Sequence, residues 1–102
     1  MDEPTQLGGN IELSGFGSID GASMVVLKKI IGNYGRKLSE ISEKFEKLSV
    51  VMKPVHETEK SSKYEVHVKL INDGKPIVSE VVERNLFVAV DSALKKIVNE
   101  IS

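Results

Sequence analysis

The sequence predicts a small α+β domain of order β-α-β-β-β-α, with two helices packed on one face of a four-stranded sheet. Three observations predict it. Apolar residues recur at helical spacing in two separate stretches. Three β-rich runs lie between those stretches, and two of them flank Asn72-Asp73-Gly74-Lys75, where Asp-Gly is a strong hairpin signal. A further alternating run precedes the first helix. Each helix carries one apolar stripe, which places both on the same face of the sheet.

Residues 1–9 (MDEPTQLGG) are polar, with Pro4 and paired glycines, and are expected to form a flexible leader. Residues 10–102 are expected to form a single domain. Asn10 to Phe16 alternates, with Ile11 and Leu13 against Glu12 and Ser14, as a short half-buried strand does. Asp20 then offers a helix N-cap. From there Met24, Leu27, Ile31, Tyr34, Leu38, Ile41 and Phe45 recur at spacings of three and four, in one stripe about 100° wide. Gly32 and Gly35 fall within this helix, each costing about 1 kcal/mol relative to Ala. They fit a well-buried continuous helix, or a break.

Leu48 to His56 is β-rich, and Pro54 suits an edge or strand end. Glu57 to Lys63 reads as a polar loop. Tyr64 to Ile71 alternates, with Tyr64, Val66, Val68 and Leu70 on one face and Glu65, His67 and Lys69 on the other. Pro76 to Glu83 pairs back after the turn. Leu86 to Ile101 is helical, with Phe87, Val90, Leu94, Ile97, Val98 and Ile101 as its stripe and Ser92, Lys95, Lys96 and Asn99 away from it.

The chain has 102 residues, enough for one core without staples. It has no cysteine, which excludes disulfides and thiolate metal sites. No apolar run approaches the ~20 residues needed to span a bilayer, and the first ten residues lack the basic start of a secretory signal. A cytoplasmic protein without membrane attachment is expected. With 14 basic and 15 acidic residues, the formal net charge is −1, which argues against indiscriminate nucleic-acid binding. The distribution is uneven. Four acids and no bases precede Lys28, whereas Lys28, Lys29, Arg36 and Lys37 follow within ten residues without an acid. A near-neutral chain of this kind can still present a basic patch.

Catalytic chemistry finds little to stand on. The only histidines, His56 and His67, lie in strand-like runs, and no Gly-x-Ser-x-Gly elbow is present. A metal site would need both histidines plus Glu57 or Glu65, without a recognised ligand spacing. The pairs Glu40/Glu43 and Glu43/Glu46 sit beside Lys44 and Lys47, as on a solvated helix face. No enzymatic activity, catalytic residue, metal, cofactor or small-molecule substrate is expected.

Binding chemistry is better supplied. Gly32-Asn33-Tyr34-Gly35, followed by Arg36 and Lys37, resembles the Gly-x-x-Gly loop of KH domains, which clamps a nucleic-acid backbone. The apolar stripe runs through it in phase, so an unbroken helix explains the same residues. The more substantial feature is the outer helical surfaces, an interface with Lys28, Lys29, Arg36 and Lys37 on one side and Arg84, Lys95 and Lys96 on the other, to which the KH-like loop is the alternative. Such cations neutralise phosphates and suit a structured RNA read by shape. There is no Trp, and Tyr34 and Phe87 fall on core stripes, so base-stacking platforms are not indicated. A third reading is a protein-interaction module using the open sheet face, where Ile71, Val78 and Val82 are exposed candidates.

The element order and the stretch Asn85-Leu86-Phe87-Val88-Ala89-Val90-Asp91-Ser92-Ala93-Leu94-Lys95-Lys96-Ile97 carry a family resemblance. This stretch resembles the last helix of the ribosome hibernation-promoting factor family, which includes ribosome-associated inhibitor A. The shared pattern is a polar cap, a Leu or Met, an aromatic, Ala, an aliphatic, Asp, and Lys before an aliphatic. Phe87 stands where the family usually has Tyr. The resemblance runs from about Asn10 to Ile101. It implies a short-form, non-enzymatic factor on the small ribosomal subunit that silences translation during stress. It also implies rRNA contacts from basic helix residues, here Lys28, Lys29, Arg36, Lys37, Arg84, Lys95 and Lys96. The long form's extra C-terminal dimerisation domain is not in this sequence, so unaided dimerisation of ribosomes is not expected; the protein's own oligomeric state is left open, with a monomer favoured. Double-stranded-RNA-binding domains resemble the α-β-β-β-α part, but their Lys-Lys-x-Ala-Lys cluster is replaced here by Glu83-Arg84-Asn85-Leu86.

Overall fold

The computed structural model describes residues 5–6, 10–58 and 61–102, with residues 5–6, 56–58 and 61–62 described by backbone only. The elements are β1 (Thr5–Gln6), β2 (Ile11–Ser14), α1 (Gly21–Ile41), β3 (Phe45–Thr58), β4 (Ser61–Asn72), β5 (Lys75–Glu83) and α2 (Leu86–Ile101). This is the expected order, with β1 as an added two-residue strand. The rest of the expected leader lies outside the described residues.

The sheet order is β1-β2-β3-β4-β5. β2 runs parallel to β3, and the other pairs are antiparallel. A parallel pair needs a crossover connection, and α1 supplies it. The β4–β5 hairpin turns at Asp73 and Gly74, both at positive φ (51° and 76°). That is the backbone a two-residue type I′ turn demands, and Asp-Gly meets it cheaply.

Side chains alternate across the sheet, so register decides which rows face the helices. Leu13, Val50 and Val68 form one buried row; Leu48 and Leu70 form a second; Met52, Val66 and Val81 form a third. α1 covers them with Leu27, Ile31 and Leu38, and α2 with Leu86, Ala89, Val90, Ala93, Leu94, Ile97 and Val98. No polar or charged residue is buried among the described residues. Ser79, in the Leu13 row, donates its hydroxyl to the Ala93 carbonyl at 2.7 Å.

Three boundaries differ from the sequence reading. The stripe of α1 was expected to reach Phe45, but the helix ends at Ile41. Ser42 adopts an extended backbone and donates its N–H to the Leu38 carbonyl. The hairpin then captures the next backbone groups. The Lys44 N–H donates to Asn72 Oδ1 at 3.0 Å, and the Lys44 carbonyl accepts from the Asp73 N–H at 2.9 Å. Phe45 therefore opens β3 and packs against the core from the sheet. Second, β3 begins before Leu48 and continues past Pro54. The last β2 pair is Ser14–Val51, so among the described residues no strand pairs with β3 on that edge at Pro54, and its missing N–H is tolerated there. Third, most of the expected loop from Glu57 to Lys63 extends the β3–β4 ladder instead.

Candidate nucleic-acid interface

α1 is continuous through Gly32 and Gly35, which removes the loop that a KH reading requires. The two glycines differ in their surroundings. A Cβ on Gly32 would meet nothing within 4 Å, whereas one on Gly35 would stand 2.5 Å from Cδ1 of Ile11. Gly35 is buried and allows the helix to lie close to β2. Its role is packing against the sheet, and the KH-like alternative is corrected on that ground.

The two helices run with their N-termini at the same end. Ile19, Asp20 and Ser23 line one shallow depression of about 230 Å³ together with Arg84, Asn85, Leu86 and Phe87. Ile41 and Ile101 share another, of about 260 Å³, at the opposite end. Both N-caps are filled from the sequence. Asp20 Oδ2 accepts from the Ser23 N–H at 3.0 Å, which holds its carboxyl below the usual range. Asn85 Oδ1 accepts from Phe87 and Val88 N–H groups.

Between the helices, the Tyr34 hydroxyl donates to Asp91 Oδ1 at 2.9 Å. Partial burial, and then the hydrogen bond and charge of Asp91, push the phenol up to about 12. Tyr34 therefore keeps its proton at all physiological pH values. This link was not legible in the sequence, which placed Tyr34 on the core stripe without a partner.

Helical phase fixes where the six helical cations among the seven predicted ones project; Arg84 precedes α2. All seven are exposed. With 100° per residue and Leu27, Ile31 and Leu38 inward, Lys29 and Arg36 stand on the outer ridge of α1. Lys37, three residues after Tyr34, leans toward α2. Lys95, four residues after Asp91, occupies the facing shoulder of α2. Lys29, Arg36, Lys37 and Lys95 thus share one outward surface around the Tyr34–Asp91 link. Glu40 and Asp91 lie one turn from Arg36 and Lys95, so the local charge is partly offset.

The remaining three point elsewhere. Lys28 is two turns before Gly35 and lies on the β2 flank of α1. Lys96 reaches the opposite flank, with Nζ 3.4 Å from the Glu80 carbonyl of β5. Arg84 lines the depression at the helix N-termini.

The other face of the sheet carries Glu65, His67 and Glu80. His67 Nδ1 lies 3.2 Å from Glu80 Oε1, and Nε2 lies 3.2 Å from Glu65 Oε2. Of the residues that a metal site would need from the sequence, His67 and Glu65 are in this group, joined by Glu80; the side chains of His56 and Glu57 lie outside the described residues. Glu80 was missed. Of the apolar candidates on this face, Val78 is 69% exposed and Val82 45%, while Ile71 is half-buried. No described helix is long and apolar enough to cross a membrane.

No family model matches the chain, and no curated protein matches it. Solved structures do. A ribosomal subunit interface protein from Coxiella burnetii aligns with a TM-score of 0.64 and 11% identity over 90% of both chains. The N-terminal domain of Thermus thermophilus Protein Y aligns with a TM-score of 0.53 and 17% identity, over 90% of this chain and 91% of that one. The class defined here is thus a fold: two helices on one face of a mixed sheet, as in these two solved structures. The particular likeness is to the N-terminal domain of Protein Y and to the Coxiella interface protein, over about nine-tenths of each solved chain.

Proposed function

We propose that this chain is a non-enzymatic, ribosome-associated factor that binds rRNA of the small subunit and silences translation. The observation that carries the reading is the end-to-end fold likeness to a ribosomal subunit interface protein. The outward cations Lys29, Arg36, Lys37 and Lys95 give it a mechanism. Each would neutralise a backbone phosphate and release counterions, so binding weakens steeply with salt. A helical surface without exposed stacking aromatics suits folded RNA recognised by shape. Lys28, Lys96 and Arg84 would reach rRNA only at the margins of that contact. Ribosome association would place the protein in the cytoplasm.

Co-sedimentation of the untagged protein with purified ribosomes tests this reading. Pelleting at low salt that is lost at high salt supports it; protein that stays in the supernatant at low salt refutes it. A second reading rests on Val78 and Val82, exposed on the open sheet face. There the protein would bind another polypeptide. A stoichiometric protein partner that survives nuclease treatment would favour it.

A further inference from the structure

The open face of the sheet holds a mixed histidine–carboxylate cluster that the proposed function does not use. Glu65 and His67 are two residues apart on β4, so both project from this face. Glu80 is the register partner of His67 on β5. One donor atom from each of the three lies within 4.8 Å of the others. A second observation concerns the ring itself. Nε2 is shielded from solvent yet makes no aligned hydrogen bond, despite the carboxylate oxygen 3.2 Å away. An imidazole nitrogen in that position has a carboxylate beside it and no hydrogen bond to give up on binding an ion.

We propose that Glu65, His67 and Glu80 bind a divalent transition-metal ion, for which Zn²⁺ is the probe. One nitrogen and two carboxylate oxygens suit a borderline cation better than Ca²⁺ or Mg²⁺, which prefer all-oxygen sets. Two carboxylates and a neutral imidazole balance the charge of the ion. Tetrahedral bonds of about 2.1 Å place donors about 3.4 Å apart, so the glutamates must close by roughly an ångström. Glu80, with a 58% exposed side chain, has room to do so. The fourth position is left to water. Lys53, opposite Glu65 on β3, and Lys69, next along β4, are exposed cations on the same face. They compete for the carboxylates without supplying ligands, so the site is of modest affinity. The ion would join the edge strand β5 to β4 and stabilise the fold by mass action. The cluster faces away from the helices, so the proposal stands or falls independently of ribosome binding.

Calorimetric titration of the untagged protein with Zn²⁺, paired with thermal unfolding, tests it. The expected result is one saturable equivalent and a rise in melting temperature. His67→Ala and Glu80→Gln are each expected to weaken binding by at least about tenfold. The Glu80→Gln change is nearly isosteric on an exposed side chain and should not disturb folding. Absence of saturable binding to the native chain overturns the proposal, as does undiminished binding in either His67→Ala or Glu80→Gln.

Discussion

Tyr34 and Asp91 are joined by a 2.9 Å hydrogen bond across the groove between the two helices, at the centre of the outward basic surface. The bond fixes the spacing between Lys37 and Lys95, which follow those two residues on facing shoulders. Tyr34→Phe keeps the ring and removes only the donor. It is expected to cost about 1 kcal/mol by chemical denaturation, because the exposed Asp91 regains water.

The same bond has a pH signature. The folded-state phenol titrates near 12 against an ordinary value of 10.0. The folded state therefore holds the proton more tightly, and its stabilisation is complete below about pH 10 and lost as pH rises toward about 12. Native and Tyr34→Phe proteins should diverge least above that window. A stability difference that stays constant from pH 9 to beyond about pH 12 would contradict the assignment.

Gly32→Ala separates the continuous helix from a backbone-clamping loop. The new Cβ meets nothing within 4 Å, so the helix gains about 1 kcal/mol of propensity. Melting should rise by about 4–8 °C, and ribosome binding should be retained. Gly35→Leu should act in the opposite sense. A Cβ there already presses on Ile11, and a longer side chain overpacks the α1–β2 contact by about 1–3 kcal/mol.

Asn85→Ala removes the acceptor for two N–H groups at the start of α2. It should cost about 1 kcal/mol in equilibrium unfolding, and Asn85→Asp should largely restore it.

Much of this was legible in the residues. The alternation of β4 and the stripe of α2 located the core directly, because each periodicity has one structural meaning. The β4–β5 register was legible in principle too. Counting six residues out from each side of the Asp73–Gly74 turn sets His67 opposite Glu80. The end of α1 was less accessible. Phe45 continues the helical phase by coincidence, and only Asn72 and Asp73, 28 or more residues away, take the Lys44 backbone groups from the helix. Gly35 was ambiguous for a similar reason, since its explanation is the approach of Ile11 in three dimensions. Exposure of the six helical cations followed from helical phase; Arg84 precedes α2. Their division between one outward surface and two flanks needed the neighbours of each helix, which periodicity alone does not identify.

The central claim is that the outward helical surface holds RNA, and the salt dependence of binding to purified small subunits tests it most directly. Native protein should bind at low salt with a steep log–log slope. A variant with Lys29, Arg36, Lys37 and Lys95 replaced by Gln should bind more weakly, with a slope lower by about three. Binding by that variant with native affinity and native slope would contradict the account.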